Sequence, residues 1–279
     1  MKFWLIIAGS LLIFGLVMFV IVMSINGWDF SKLGASRLIT NTHEIENSFN
    51  SISINTTTAD ISILPSTDGA CRVECYELEK AKHSVSVKDD TLCVELDDDR
   101  AWYDMINFNP DSPKITLFLP FKEYGSLVIN DTTGDLEACN NLSFGSVDIS
   151  LTTGDITLSD IQCDGNININ LTTGKTQMTN VQCKNLVSKG STGDLMLENV
   201  LCQEKLYAKR TTGDIELDGC DGGEIEFDLT TGDVEGTILS DKVFIARTST
   251  GDIDVPESIT GGKCKITTTT GDINIKIKK

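Results

Sequence analysis

The sequence is poor in the residues on which most catalytic and nucleotide-binding sites depend. Of its 279 residues, only 2 are histidine and 5 are proline. His43 and His83 alone leave little for a Ser–His or Cys–His nucleophile system. The repeated glycines are followed by strand-like runs, so no helix N-terminus is available for a phosphate-binding loop. We therefore expect no enzyme activity, no catalytic residues and no cofactor.

Positive charge is also scarce. The chain has 23 Lys and Arg against 41 Asp and Glu, which gives a net charge of −18 and a pI of about 4.4. Such a surface avoids nonspecific nucleic-acid binding and is repelled by anionic headgroups and anionic polymers. We therefore expect no nucleic-acid partner, and a preference for basic peptides or divalent cations.

One long segment lacks charge altogether, from Phe3 to Ile25. It is long enough to cross a bilayer as a helix, and Trp4 and Trp28 flank it at interface positions. The apolar core is too long for a cleaved signal peptide, and no small-x-small cleavage site follows it. We predict a transmembrane signal anchor over residues 1–26, with residues 3–25 in contact with the membrane.

The charges that flank this span are nearly balanced, because Lys2 precedes it and Lys32 and Arg37 follow it. Size decides the orientation: the short N-terminus stays inside and the long remainder is exported. We predict a single-pass protein of the cell membrane with an extracytoplasmic C-terminal domain. Residues 27–45 are expected to be a polar linker.

The remainder is dominated by a tetrapeptide close to Thr-Thr-Gly-Asp. Its glycines are separated by 20, 20, 19, 20, 19, 19 and 20 residues, and they are Gly134, Gly154, Gly174, Gly193, Gly213, Gly232, Gly251 and Gly271. A fixed period near twenty indicates a solenoid or another repeat array. A degenerate earlier copy, "TTTADISIL", has Ala59 in place of the glycine.

Within one repeat, polar and apolar residues alternate as in a half-buried strand. Val147, Ile149 and Leu151 share one phase, and the phase slips before Ile156 and again before Ile161. Each slip marks a bend, so a repeat consists of two or three short strands joined by corners. We predict an all-β fold, a β-solenoid (β-helix) of about eight to nine coils stacked about 4.8 Å apart, with the regular repeats at 131–279.

Residues 46–130 break the period after the first copy. Four strand-like runs lie there, "CRVECYEL", "HSVSV", "TLCVEL" and "PKITLFLP", and "VKDDTL" is typical of a hairpin turn. We interpret this region as the first coil and the capping strands that a solenoid end requires. The C-terminal "NIKIKK" is expected to form the last strand, with a charged edge that discourages end-to-end growth.

The Thr-Thr-Gly-Asp tetrapeptide has two possible roles, a structural corner or a ladder of metal ligands. As a corner, it uses glycine for a strained backbone conformation and Asp or Thr for hydrogen bonds to nearby backbone groups. As a ligand ladder, stacking would align carboxylates that could hold Ca²⁺: Asp135, Asp155, Asp194, Asp214, Asp233, Asp252 and Asp272. Lys175 interrupts that row, and we favour the corner.

The sequence contains 9 cysteines and no Cys-x-x-Cys pair, which disfavours a zinc site, so we expect no metal ligands. Cys163, Cys183 and Cys202 each follow a repeat glycine by nine residues. Stacking makes them neighbours, either as a buried thiol ladder or as disulfides in an oxidising compartment. Cys71 and Cys75 share a strand face, near Cys93 in sequence, as a disulfide or as core.

Several strings in order resemble the bacterial adhesin-like family of unknown function, also called the toastrack domain, which includes LiaG-like envelope proteins. They include "TTTADISILPS", "CRVECYE", "KHSVSVKDDTL", "WYDMI", "SPKITLFLP" and "ITGGKCKITTTTGDINI", within residues 46–279. The resemblance implies a β-solenoid displayed outside the membrane. It implies an adhesion or envelope-sensing role toward an envelope protein or cell-surface ligand. The alternative from fold class alone is a carbohydrate-active enzyme on a β-helix scaffold.

Overall fold

The computed structural model describes residues 2–25, 27–28, 38–98 and 112–278. The string "WYDMI" and residues 29–37 of the expected linker lie outside this range. A single apolar helix, α1, spans Lys2–Ile25, and its segment Ile6–Ile25 is long and apolar enough to cross a membrane. The rest of the described chain is β-structure, as expected from the alternation.

The described part of the chain after the helix contains twenty-one strands. In the N-terminal part they are β1 Leu38–Ile45, β2 Ser51–Asn55, β3 Asp60–Pro65, β4 Cys71–Leu78, β5 Ala81–Lys88, β6 Thr91–Asp98 and β7 Lys114–Leu119. The central strands are β8 Glu123–Thr133, β9 Leu136–Ala138, β10 Leu142–Thr153, β11 Ile156–Ser159, β12 Ile161–Cys163, β13 Asn166–Thr173 and β14 Thr176–Thr192. The last are β15 Leu195–Thr212, β16 Ile215–Thr231, β17 Val234–Ile238, β18 Lys242–Arg247, β19 Ile253–Asp254, β20 Gly262–Thr267 and β21 Ile273–Ile277.

The coils stack in parallel with their repeats in register, so Thr153 pairs with Thr173, Thr192 with Thr212 and Thr212 with Thr231. Inside one coil the buried side chains fall into three groups. In β15 these are Leu195 with Leu197, Val200 with Cys202, and Leu206 with Ala208. The phase slips therefore correspond to bends, and the predicted β-solenoid of about eight to nine coils is confirmed.

The coils do not stack in the order of the sequence at the C-terminal end. The coil built from β20 and β21 lies between the coil of β16 and β17 and the coil of β18 and β19. Gly271 accordingly contacts Gly232 on one side and Gly251 on the other. The string "NIKIKK" lies in and just after β21, which is the last strand as expected, and β19 pairs with it only at Asn274. Among the described residues, Ile275 to Ile277 pair with β17 on one side only, so this part of the strand keeps an open edge.

The N-terminal end is also built out of order. The first coil, β2 and β3, is covered on its outer side by β6 and β7, which run parallel to it. Beyond them, β5 pairs with β6 and β4 with β7, both antiparallel, and β1 is the antiparallel neighbour of β4. The predicted hairpin joins β5 to β6 through Asp89 and Asp90, both with positive φ.

Residues 38–45, which we expected to lie in the linker, form β1 instead. Ile39, Asn41, His43 and Ile45 alternate with the more exposed residues of the strand. This row of β1 lies opposite the buried row of β4, and Asn41 of β1 is paired with Cys75 of β4. The strand forms because it closes the otherwise unpaired edge of β4.

Candidate functional site

The Thr-Thr-Gly-Asp corners form one ladder along the stack. In stacking order the residues after the glycine position are Asp60, Asp135, Asp155, Lys175, Asp194, Asp214, Asp233, Asp272 and Asp252. The expected alignment of the aspartates is therefore present, with the last two in reverse order. Most carboxylates use Oδ1 to accept the backbone N–H of the next corner; Asp135 accepts from Asp155 at 2.8 Å and Asp233 from Asp272 at 2.7 Å.

Lys175 interrupts these bonds in the middle of the stack. Its own N–H is bound by Asp155 at 2.7 Å, but it has no carboxylate to offer to Asp194. Its ammonium lies 3.9 Å from the carboxylate of Asp194 instead. The interpretation of the tetrapeptide as a corner explains why aspartate recurs after the glycine, because its carboxylate accepts the backbone N–H of the neighbouring coil.

The corner requires glycine for two reasons, its backbone conformation and the close approach of the neighbouring coil. Gly193 has φ of 121°, a conformation that L side chains rarely adopt. A Cβ built there would lie 2.0 Å from the carbonyl oxygen of Gly174 in the next coil. The corner glycines therefore allow both the turn and the close approach of neighbouring backbones.

The three repeat cysteines are stacked neighbours, as expected. Cys183 is paired with Cys202, and their Sγ atoms are 3.5 Å apart as free thiols. Cys163 is buried in the adjacent coil, and burial raises the pKa of its thiol to about 11. Of the other group, Cys71 and Cys75 are buried on one face of β4, whereas Cys93 is half-buried on β6.

A buried polar network joins β1, β4 and β5 of the cap to Thr56, which follows β2. The carboxylate of Glu77 accepts from Asn41 Nδ2 at 2.6 Å through Oε1, and from the N–H and Nδ1 of His83 at 2.6 and 2.8 Å through Oε2. His83 Nε2 is 2.9 Å from Thr56 Oγ1. Burial alone would raise the pKa of Glu77, but the hydrogen bonds from His83 and Asn41 outweigh it and lower that pKa.

This network has the order hydroxyl, imidazole, carboxylate, which is the order of a nucleophile relay. However, Thr56 is only 4% exposed, so a polymeric substrate cannot reach its hydroxyl. Cys75 lies beside the network: its sulfur, a Glu77 oxygen and a His83 nitrogen are all within 4.8 Å of one another. Sequence reasoning missed this cluster because its members come from two strands, although Glu77 stands in the inward phase of "CRVECYEL".

Two further charged residues point into the core, at a stacked position that is leucine in several coils. Asp131 and Arg210 are separated along this column by Leu151, Leu171 and Gly190. Burial raises the pKa of Asp131 to about 6, and its Oδ2 has no hydrogen-bond partner within the described residues. These two charged residues are buried and lie in different coils.

Arg210 is accommodated by small residues in the neighbouring coil. Its guanidinium bonds the carbonyl of Ser188 at 3.2 Å and the hydroxyl of Ser188 at 2.9 Å. Gly190 leaves room for it, since a Cβ there would lie 3.1 Å from the arginine side chain. Burial lowers the pKa of Arg210 to about 10.

The strands that follow the corners form an open groove of about 690 Å³, which we call the acidic groove. Its floor contains Leu197, Leu217 and Gly236, which share one register. Its two rims are rows of outward side chains: Gln177, Met196, Glu216, Glu235 and Asn274 on one, and Thr179, Glu198, Asp218, Thr237 and Lys276 on the other.

The carboxylates of this groove are largely free. Asp218 is bound by Lys278 at 2.7 Å, but Glu198, Glu216 and Glu235 form no ion pair within the described part of the chain. Asn274 adds a buried Oδ1 that accepts no hydrogen bond from the described residues. The groove therefore offers unpaired acceptors on a solvent-facing surface.

On the strands that precede the corners, the charged side chains are paired with partners of opposite sign, and we call this surface the ion-paired face. Three successive coils alternate in charge there, with Lys205 and Lys209, then Glu224, Glu226 and Asp228, then Lys263 and Lys265. Glu226 is bound by Lys205 at 2.7 Å and by Lys265 at 2.9 Å, and these bonds lower its pKa to about 2.

Solved structures share this architecture. A candidate adhesin from Bacteroides fragilis matches 88% of this chain and 99% of its own, with 18% identity and a TM-score of 0.54. A candidate lipid-binding protein from Parabacteroides distasonis matches 85% of this chain and 96% of its own, with 16% identity and a TM-score of 0.49. At this identity, the likeness to the Bacteroides fragilis protein concerns the fold alone. No curated protein matches the sequence.

The family comparison is more specific. The sequence profile described as Toastrack DUF4097 matches residues 49–188 and 164–279. Together these matches cover the solenoid from its first coil through its last strand, which agrees with the resemblance carried by the strings of the cap and the repeats. The chain belongs to the toastrack family.

Proposed function

We propose that the protein is a membrane-anchored, extracytoplasmic interaction module whose acidic groove binds a basic segment of an envelope protein or cell-surface partner. The observation that carries this proposal is a set of three unpaired carboxylates in the groove, Glu216 and Glu235 on one rim and Glu198 on the other. Carboxylates of one sign repel each other at coil spacing. A cationic ligand relieves that repulsion.

The dimensions of the groove suit an extended peptide. The rim from Gln177 to Asn274 crosses five coils, which at a spacing of about 4.8 Å is about 19 Å. An extended segment of about six residues has the same length. Met196 gives the rim an apolar, adaptable contact.

Anchoring is supported by the helix α1. Its side chains from Ile6 to Ile25 are almost all exposed, which leaves an apolar surface that a bilayer would cover. The toastrack match begins only at residue 49, after the helix. A solenoid outside the membrane also accords with the net charge of −18, which keeps an exposed domain soluble and away from anionic headgroups.

Binding of a fluorescein-labelled hexa-arginine peptide to the full-length chain in detergent tests the groove. We expect saturable, salt-sensitive binding that falls about tenfold when Glu198, Glu216 and Glu235 are all changed to Gln, because each exposed pair contributes about 0.2–1 kcal/mol. A matched control changes the exposed Glu46, Glu79 and Glu123 to Gln, which alters net charge equally. Equal weakening in both variants, or no binding at all, would contradict the proposal.

Orientation is tested separately with protease added to whole protoplasts. We expect the solenoid to be digested from outside, leaving a small membrane-embedded stub that contains α1. Protection of the solenoid until the protoplasts are lysed would show that it faces the cytoplasm.

A further inference from the structure

We propose that Cys75, Glu77 and His83 form a zinc-binding site in the cap, with His43 as the fourth ligand. This site departs from the expectation that the chain has no metal ligands, and it lies away from the acidic groove. The three ligand atoms, a thiol sulfur, a carboxylate oxygen and an imidazole nitrogen, are all within 4.8 Å of one another and all three residues are buried. Cysteine, histidine and carboxylate are the ligand types that Zn²⁺ uses in proteins.

The backbone already brings these ligands together. Cys75 and Glu77 are two residues apart on β4, so both side chains point to the same side of the strand. β5 follows after a tight turn, with Leu78 paired to Ala81, and places His83 against them. Ligands from two rigid strands need only small side-chain movements to reach the separation of about 3.5 Å that a tetrahedral zinc site implies.

The groups around the three ligands form a second shell. Asn41 Nδ2 holds Glu77 Oε1 at 2.6 Å, and Thr56 Oγ1 lies 2.9 Å from the far nitrogen of His83. Partners of this kind orient ligating carboxylates and fix the tautomer of ligating histidines. The backbone N–H of His83 also bonds Glu77 Oε2 at 2.6 Å, which fixes the oxygen that would face the metal.

Two of the four proposed ligand atoms have no hydrogen-bond partner within the described part of the chain. Cys75 Sγ makes no hydrogen bond among the described residues, and His43 Nε2 is a buried nitrogen without one. His43 lies on β1 two residues from Asn41, which is directly opposite Cys75, so His43 and Cys75 are diagonal neighbours on one face. A turn of the His43 side chain toward Cys75 would complete a four-ligand site.

Charge balance favours the ion. One carboxylate, one thiolate and two neutral imidazoles around Zn²⁺ sum to zero, so the bound site would carry no net buried charge. On binding, the thiol proton leaves to solvent. The proton of His83 Nδ1 is replaced by the metal while Nε2 becomes protonated and donates to Thr56 Oγ1, so one proton is released for each ion bound.

Metal titration of the reduced, metal-stripped full-length chain in detergent tests this site. We expect one equivalent of Co²⁺ to bind and to give a thiolate-to-cobalt charge-transfer band that Zn²⁺ abolishes. We expect Cys75→Ser to lose this band and His43→Gln to weaken binding at least about tenfold. Cys93→Ser is the matched control, because this half-buried cysteine lies on β6 outside the cluster, and it should keep the band.

A measurement on the wild-type protein keeps the test decisive if Cys75→Ser fails to fold. Zinc-edge X-ray absorption should give one sulfur at about 2.3 Å and nitrogen or oxygen ligands at about 2.0–2.2 Å. Zn²⁺ should also raise the Tm by about 5 °C at saturating concentration. Absence of saturable binding, a sulfur-free coordination shell, or a charge-transfer band that survives in Cys75→Ser would overturn the proposal.

Discussion

The same coils carry their charges in two different ways on two faces. On the ion-paired face, successive coils alternate between lysine and carboxylate, and Glu226 is held by two lysines. In the acidic groove, Glu216 and Glu235 stack directly on each other without a lysine between them. Both faces are built from parallel strands paired from coil to coil, and they differ in the charges of their outward side chains.

This contrast shows where the excess negative charge has been placed. Alternating signs between coils add stability to the stack by cross-strand pairing. A row of like charges weakens the stack slightly, and the proposed cationic ligand would offset this repulsion. The boundary between the two faces is the Thr-Thr-Gly-Asp corner, which ends the strand of one face and begins the strand of the other.

The largest expected effect comes from breaking that boundary. Gly193→Ala should destabilise the protein by at least about 3 kcal/mol, because it combines backbone strain at φ of 121° with a clash against Gly174. Chemical denaturation measures the loss. Gly69→Ala is the control: its φ is 78° but nothing lies within 4 Å, so we expect only about 1 kcal/mol. Equal losses would mean that the close approach of the coils contributes nothing.

An intermediate effect on the free energy of unfolding should distinguish a glutamate of the ion-paired face from one in the acidic groove. Glu226→Gln should cost about 1 kcal/mol near pH 7, since it removes two ion pairs, whereas Glu216→Gln should be neutral or slightly stabilising. The pKa of Glu226 is lowered from 4.5 to about 2, so its contribution is present above pH 4.5 and is lost as the pH falls toward 2. The difference between wild type and Glu226→Gln in denaturant titrations should therefore vanish near pH 2. A constant difference across this range would contradict the assignment.

The smallest effect should come from the corner carboxylate. Asp194→Asn keeps the oxygen that accepts from Asp214 N–H at 3.1 Å, so we expect a change within about 0.5 kcal/mol, whereas Asp194→Ala should lose about 1 kcal/mol. Melting curves with chelator and with millimolar Ca²⁺ should coincide for the wild type. A calcium-dependent rise in Tm that disappears in Asp194→Asn would instead favour the ligand ladder.

Much of this fold follows from the sequence by simple rules. Glycine spacing predicts the coil length, and the phase of the alternation predicts which side chains face inward. The reversed order of the last two coils does not follow from either rule, because "TSTGD" and "TTTGD" are equivalent corners. Their order depends on tertiary contacts: Lys263 and Lys265 complement Glu224 and Glu226, whereas Val243 and Ile245 do not.

The candidate sites were less predictable. The unpaired rim of the acidic groove requires knowledge of which coils are neighbours. The cap cluster requires β4 and β5 to approach each other. A usable signal was present nevertheless, since Glu77, Asp131 and Arg210 are charged residues in the inward phase of their strands. Such residues indicate where a regular core has been interrupted, although not what the interruption does.

The coil formed by β20 and β21 has a consequence for biogenesis. Because it lies inside the stack, the coil of β18 and β19 cannot reach its final place until residues 262–277 have emerged. In a chain that folds from its N-terminus as it is synthesised, the coil of β18 and β19 therefore stays undocked until the final repeat has formed. Truncation before residue 262 should leave β18 without the neighbour on which it docks, so that an incomplete chain ends in unpaired strands.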